Sequence, residues 1–117
     1  MPSANSFVIS WPSPELSPNS RSHWGKVSTK KKTYRQAAFV LAKESGLHVT
    51  HDGPINVKLT FHPPTNHARD HDNLLASMKS ALDGLADAMR VNDNLFRPSV
   101  EIGEKAANGF VRIEVSQ

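Results

Sequence analysis

Two closely spaced aspartates are the residues best suited to chemistry. Asp70 and Asp72 stand two positions apart, where extended chain gives way to a helix-like apolar pattern. Their side chains can converge on one ion there, and carboxylates so close repel each other unless a cation lies between them. Carboxylate oxygens, completed by water and an incoming phosphate, are ligands that Mg²⁺ prefers. The pair predicts a magnesium site; the alternative is that Asp72 caps the helix while Asp70 is solvated.

A lysine follows the pair at helical spacing. Lys79 comes seven residues after Asp72, and Asp83 comes four after Lys79. Two helical turns return to the same face after seven residues, so the three residues border one face. A lysine in this position can stabilise charge that develops on a phosphate during its transfer. The alternative is a surface Lys79–Asp83 ion pair worth only ~0.3–0.5 kcal/mol, and the spacing leaves both interpretations open.

The elements that must position these residues follow from hydrophobic periodicity and turn signals. Their order, β-α-β-α-β-β, predicts a small α+β domain with at least one antiparallel strand pair. Gly46 is expected to end the first helix, and Asn108-Gly109 predicts a hairpin turn between the last two strands. The predicted strands lie near 7–9, 55–61, 100–102 and 111–115, the helices at 28–45 and 72–90, and a loop at 12–25.

Composition narrows the class of protein. A chain of 117 residues suffices for a single domain, here 1–117. The absence of cysteine excludes disulfides, zinc–thiolate sites and cysteine nucleophiles. A net charge of +3 is compatible with a nucleic-acid partner. No apolar run is long enough to span a bilayer, and Met1–Ser6 lacks the features of a signal peptide, so we expect no membrane partner and a cytoplasmic protein.

Basic residues crowd the start of the first predicted helix. The helix dipole is already positive at that end, so each cation there is unfavourable by ~0.3–1 kcal/mol. The same end is a good phosphate site, which predicts sequence-independent contacts with a nucleic-acid backbone; the alternative is a solvated charge run. Two arginines outside the helix are further candidates, one of them beside the acidic pair. The candidate contacts are Arg21, Lys26, Lys30, Lys31, Lys32, Arg35 and Arg69.

The acidic residues belong to a longer ordered pattern. It runs Asp70-His71-Asp72-Asn73-Leu74, Lys79, Leu82-Asp83-Gly84-Leu85 and Asn92-Asp93. Before it come Ile9-Ser10-Trp11-Pro12, the Ser17-Pro18-Asn19 loop and a helix with Tyr34-Arg35. Each piece is a weak signal, but the ordered set covers nearly the whole chain and resembles the RusA family of Holliday junction resolvases.

The resemblance implies a fold, an activity and a set of site residues. It implies Asp70, Asp72 and Asp93 as Mg²⁺ ligands and catalytic residues, with Lys79 as the catalytic lysine. The implied activity is Mg²⁺-dependent hydrolysis of phosphodiesters at four-way DNA junctions by a homodimer, in recombination and repair, with no small-molecule substrate. Asn92 stands where the family has an aspartate, which removes a charge but keeps an oxygen ligand.

Two other functions stay open beside this one. The first is a DNA-binding module that retains the fold without catalysis, although three aspartates beside a DNA-facing surface would then be an electrostatic cost. The second is a Mg²⁺-dependent nuclease that acts on flaps or replication forks. Sequence does not rank four-way junctions against these substrates.

The position of Asp93 predicts a site shared between subunits. If the second helix is unbroken from Asp72 to Met89, its ends lie about 26 Å apart at 1.5 Å per residue. Asp93 follows Met89 by four residues, which reach at most ~14 Å. Asp93 then cannot return to Asp72 within one chain unless the helix breaks, for which Gly84 is the favoured place. Two such helices packed antiparallel about a two-fold axis would bring each Asp93 to the partner's acidic pair.

Overall fold

Four strands and three helices make up the described part of the chain. The computed structural model describes residues 5–50 and 52–117. The expectation about a signal peptide, which concerned Met1–Ser6, falls largely outside these residues. The elements are β1 (Ser6–Ser10), α1 (Trp24–Ser45), β2 (Ile55–His62), α2 (His71–Ser77), α3 (Lys79–Met89), β3 (Phe96–Ile102) and β4 (Phe110–Ser116), with 3₁₀ turns at Pro14–Leu16 and Asp93–Leu95.

The strands form one mixed sheet in the order β1-β4-β2-β3. β4 runs antiparallel to both β1 and β2, whereas β3 runs parallel to β2. Parallel neighbours require a crossover connection, and α2 and α3 supply it between β2 and β3. The described residues thus form one small domain, and the predicted α+β class with antiparallel pairing is confirmed.

The predicted hairpin between the last two strands is wrong. β2 separates β3 from β4 in the sheet. The connection crosses the end of β2, where Gly103 N donates to Phe61 O at 2.8 Å and Ala106 N donates to Pro63 O at 3.0 Å. The Asn108-Gly109 turn exists, with positive φ angles of 65° and 66°. It leads the chain to the other side of β2 because these hydrogen bonds carry the connection past that strand.

The core lies between one face of the sheet and the helices. β2 alternates as predicted, with one set of side chains fully buried and the other set facing outward. The buried set consists of Ile55, Val57, Leu59 and Phe61. Ala38 of α1 and Leu85 of α3 belong to the same buried cluster. Leu74 of α2 belongs to this cluster as well, so the core anchors the first turns of the second helical region.

Gly84 marks a close helix contact and not a helix break. α3 is continuous through it, so the predicted break at Gly84 is wrong. A Cβ at this position would overlap the carbonyl oxygen of Arg35 and lie 3.1 Å from the Cβ of Ala38. Glycine is required here because the α1 backbone approaches the α3 backbone at this point.

The second helical region breaks instead at Met78. This residue ends α2 and precedes α3, with φ −95° and ψ 1°. Its side chain is fully buried, and its sulfur lies 3.5 Å from the hydroxyl of Tyr34. That hydroxyl also donates to Ser10 O at 2.6 Å. No glycine or proline marks the break, so hydrophobic periodicity ran through it unchanged.

α1 begins at Trp24, four residues before the predicted start at residue 28. The nitrogen Nδ1 of His23 caps it by accepting a hydrogen bond from Gly25 N at 3.1 Å. Histidine is not among the preferred N-cap residues, so no capping residue indicated this start. The predicted end is confirmed, with Gly46 at φ 72°. Within the described ranges, no helix combines the length and apolar character needed to cross a membrane.

Candidate functional site

The start of α2 positions the first two aspartates. Asp70 is the N-cap residue, and its Oδ1 accepts hydrogen bonds from Asp72 N at 2.8 Å and Asn73 N at 3.4 Å. Asp72 lies in the first helical turn and is exposed. The alternative in which Asp72 caps the helix is therefore wrong; the cap is Asp70, since the helix begins at His71.

The oxygens of this pair are largely free. Both hydrogen bonds to Asp70 use Oδ1, and across residues 5–50 and 52–117 neither its Oδ2 nor the Asp72 carboxylate has a hydrogen bond or ion pair. Two exposed anionic groups of hard oxygens, two positions apart and without a cation, are suitable ligands for Mg²⁺. The donor chemistry of the pair fits the implied metal.

A third carboxylate does not join them within one chain. In the described part of the molecule, no three carboxylate or imidazole groups lie close enough together to hold a metal ion. A metal ion held by this pair would need its remaining ligands from water, from substrate or from a second chain.

The start of α3 holds the predicted lysine and the third aspartate. Lys79 Nζ lies 2.8 Å from Asp83 Oδ1 and 2.8 Å from Asp93 Oδ2. Its hydrogen bonds to Asp83 and then Asp93 raise the pKa of Lys79, and the bond from Lys79 lowers the pKa of Asp93. We call Lys79, Asp83 and Asp93 the lysine cluster. It contains the Lys79–Asp83 pair that spacing had left open.

The break at Met78 explains how Asp93 reaches this cluster. From Lys79 to Met89, α3 spans about 15 Å at 1.5 Å per residue, far less than an unbroken helix from Asp72. Asn92 caps the 3₁₀ turn that follows, and its Oδ1 accepts from Asn94 N at 2.9 Å. Asp93 thus returns along α3 to its first residue, while Asp70 and Asp72 lie at the far end of α2.

Three of the seven predicted DNA-contact residues are engaged within the chain. Lys26 Nζ lies 3.0 Å from Glu15 Oε1, and hydrogen bonds from Ser13 and then Lys26 lower the pKa of Glu15 to about 2. Arg35 donates to both oxygens of Asp87 at 2.8 and 3.0 Å. The third is Arg69, whose guanidinium donates to Thr65 and His67. The ionic partners of Lys26 and Arg35 must be exchanged before either can bind phosphate fully.

The other four predicted contacts are open. Arg21, Lys30, Lys31 and Lys32 are exposed and, within the described ranges, form no ion pair. Because α1 begins at Trp24, these three lysines lie beyond its first turn, and the argument from the helix dipole is wrong for them. Lys31 lines a groove of about 790 Å³ together with Lys79 and Asp83.

Arg69 is held against Trp11, a residue of the ordered pattern to which the sequence assigned no role in the site. Its Nη1 donates to Thr65 O at 3.0 Å and His67 O at 2.9 Å, and its Nη2 donates to Thr65 Oγ1 at 2.9 Å. The guanidinium carbon lies 5.3 Å from the ring centre of Trp11. A tryptophan directly after a strand and before Pro12 was the available signal.

A cavity of about 320 Å³ lies beside these two side chains and the acidic pair. Trp11, Arg69, Asp70 and Asn73 are among its lining residues. The N-terminal loop and the start of α2 thus enclose a recess next to the candidate metal ligands. The sequence indicated the acidic residues and not this recess, because the loop comes to them only through the sheet.

The comparisons with known proteins find a relative of this chain, but they name no activity. No family model matches the sequence. An uncharacterized protein of Xylella fastidiosa strain Temecula1 is 40% identical over 94 residues, which cover 78% of this chain. The aligned segment spans 61% of that protein's length, so the relative is longer than the part matched here.

Proposed function

We propose that this protein is a Mg²⁺-dependent, structure-selective DNA endonuclease of the RusA type that resolves Holliday junctions. The observation that carries the proposal is the pair of exposed carboxylates at the start of α2, Asp70 and Asp72, which no cation neutralises in the described chain. A cytoplasmic role in recombination and repair follows from this activity.

Asp70 and Asp72 are the residues that would hold Mg²⁺ in one chain, with Asp93 as the third carboxylate. Bound Mg²⁺ would supply Lewis-acid activation of the phosphate and a lowered pKa for an attacking water. The hydrogen bonds from Asp72 N and Asn73 N fix one oxygen of Asp70 and leave the other free to bind. Asp70 is thus oriented before any ligand arrives.

Lys79 would stabilise the charge that develops on the phosphate. The Lys79 side chain is 66% exposed, and its ammonium group is already oriented by Asp83 and Asp93. Its two carboxylate partners raise the pKa of Lys79 further above neutral pH, so it is a cation there. Lys31, on the same groove, would bind a neighbouring phosphate, and Lys30, Lys32 and Arg21 would extend this contact along the DNA backbone.

A homodimer would complete the site. Within one chain Asp93 lies on Lys79, apart from the acidic pair. Antiparallel packing of two helical regions about a two-fold axis would bring each lysine cluster to the partner's Asp70 and Asp72. Two such sites would provide the two cuts that a symmetric junction requires.

Mixed dimers test the shared site. An Asp72→Asn chain is combined with an Asp93→Asn chain, and verified heterodimers are incubated with a four-way junction. A shared site regains one intact set of carboxylates and nicks the junction. If verified heterodimers do not nick it, the sites are not shared between subunits.

The activity itself is tested with purified protein on synthetic four-way junctions, forks, flaps and linear duplexes, in Mg²⁺ and in EDTA. We expect Mg²⁺-dependent cuts at the junction and none in linear duplex. Preferential cleavage of forks or flaps would favour the second nuclease hypothesis. Binding to junctions without cleavage of any substrate would favour the non-catalytic module, for which the ion-paired state of Lys79 and Asp93 is the supporting observation.

A further inference from the structure

The recess beside Asp70 has the features of a binding site for a flat ring. Its volume of about 320 Å³ lies at the lower end of the range for ligand pockets, roughly 300–1,000 Å³. It is lined by an indole, a guanidinium and an amide, at Trp11, Arg69 and Asn73. A pocket of this size suits a single ring system rather than a long ligand.

The two planar side chains are held firmly. Three hydrogen bonds from its terminal nitrogens fix Arg69 to Thr65 and His67. Trp11 packs its ring edge-on to Phe61, with ring centres 5.8 Å apart and planes at 80°. Phe61 is fully buried. The guanidinium carbon lies over the Trp11 ring, 5.3 Å from its centre. Because both side chains are fixed in advance, little side-chain entropy is lost when another ring packs against them in the recess.

Asn73 supplies a group that can recognise a ring edge. Its side chain is partly buried and, within the described ranges, makes no hydrogen bond, since only its backbone N–H is engaged. A free carboxamide can donate and accept at once, as asparagine does with the edge of adenine. The negative charge of Asp70 in the same wall disfavours a phosphate in this recess. A neutral ring with polar edges fits the lining better than an anion.

We infer that the recess holds one unpaired nucleobase of the DNA strand whose phosphate lies at Asp70 and Asp72. This inference rests on the proposed nuclease function and specifies how its substrate is recognised. Stacking on an aromatic or guanidinium plane is the usual way in which proteins bind unpaired bases. Extrusion from the stack is least costly where bases are already unpaired, so such a pocket favours branched DNA over intact duplex.

An abasic scan tests the pocket through binding alone. Four-way junctions with one abasic nucleotide at each position near the cut are titrated with protein in EDTA, so that no cleavage is needed. Wild-type protein should lose affinity about 5- to 150-fold at one position, the effect of losing one stacked base. Trp11→Ala should bind the intact junction that much more weakly and show no further loss at the abasic position. Trp11→Phe should keep most of the wild-type profile.

Two variants keep the test decisive if Trp11→Ala fails to fold. Asn73→Ala removes only the amide, and we expect it to lose discrimination among bases at the sensitive position while the abasic penalty remains. Trp24→Ala removes the other tryptophan, which is 78% exposed on α1, and should leave the positional profile unchanged. A flat scan by wild-type protein that binds and cuts junctions would overturn the pocket alone. Absence of junction binding and cleavage would overturn the proposed function as well.

Discussion

Aspartates lie near the starts of both α2 and α3, but only those near α3 are paired with a cation. At α3, Lys79 lies 2.8 Å from each of two carboxylates, so Asp83 and Asp93 share one cation. At α2, Asp70 and Asp72 have no cation within the described ranges. Only Met78 separates the two helices. The aspartates of the lysine cluster are thus ion-paired, and those at the start of α2 are not.

The difference separates carboxylates that are paired with a cation from carboxylates that are not. An ion pair on the surface contributes little to stability, and its charges need no further partner. Two open carboxylates at one helix start repel each other, and that repulsion is relieved by a cation. The same distinction separates the basic residues of α1, since Lys26 and Arg35 are paired while Lys30, Lys31 and Lys32 are open. Charges without an ion-pair partner in the described ranges thus lie both at the start of α2 and on α1.

Among changes to the lysine cluster, removing Lys79 should have the largest effect on the rate of cleavage. We expect Lys79→Ala to slow junction cleavage by ~10²–10³-fold, the scale of losing one transition-state donor, with the fold retained. Single-turnover kinetics measures this. Lys105→Ala, an exposed lysine on the connection before β4, is the control and should cut at the wild-type rate. A Lys79→Ala rate within twofold of wild type would make the cluster a surface ion pair only.

Neutralising Lys30, Lys31 and Lys32 tests the basic residues that form no ion pair within the described ranges. The triple change Lys30→Gln, Lys31→Gln and Lys32→Gln should weaken binding to all DNA sequences. It should also lower the slope of log K against log salt by up to about three, one per lost phosphate contact. The control makes the same charge change elsewhere, at Lys43, Lys58 and Lys105. Equal slopes for the two triple variants would mean that Lys30, Lys31 and Lys32 are merely solvated.

The close contact between α3 and α1 at Gly84 should matter for stability. Gly84→Ala forces a Cβ into the carbonyl oxygen of Arg35, and overpacking of this kind costs about 1–3 kcal/mol. Urea unfolding measures the loss. Gly25→Ala, whose Cβ would meet only the His23 ring at 3.2 Å, should stay within about 1 kcal/mol of wild type. Equal stability of the two variants would contradict the close approach of α1 and α3.

The smallest expected effect is the pH dependence of the Lys79–Asp93 pair. The pKa of Asp93 is lowered from its usual 3.8 by the hydrogen bond from Lys79. Its stabilisation is therefore full above that usual value and is lost as pH falls through the lower folded value. Asp93→Asn should show a slightly shallower acid loss of stability than wild type in urea unfolding from about pH 5 to pH 2. A steeper loss in the variant would mean that the pair does not stabilise the folded chain.

Much of the fold follows from local pattern, while its exceptions come from long-range contacts. Alternation at Ile55–His62 predicted a half-buried strand because burial on one face imposes a period of two. The hairpin failed because β4 pairs with β2 and not with its neighbour in sequence. The break at Met78 depends on burial against Tyr34, which no local signal encodes.

The candidate site divides in the same way. Spacing of four residues indicated the Lys79–Asp83 contact, since such pairs face each other on a helix. The contact between Lys79 and Asp93 could not be predicted, because it depends on the break that shortens the helix. Trp11 reaches the start of α2 only through the folded sheet, so the recess beside Asp70 was also beyond sequence reasoning.

Cleavage by charge-neutral variants of the open pair tests the account most directly. Asp70→Asn and Asp72→Asn keep shape, and asparagine also keeps the N-cap at position 70. Each variant, with Glu44→Gln on exposed α1 surface as control, is assayed for junction cleavage in Mg²⁺ and for junction binding in EDTA. We predict that both aspartate variants lose cleavage while binding is unchanged or tighter, because a charge that repels phosphate is removed, and that Glu44→Gln cuts normally. Full Mg²⁺-dependent cleavage by either aspartate variant would contradict the assignment of the start of α2 as the catalytic centre.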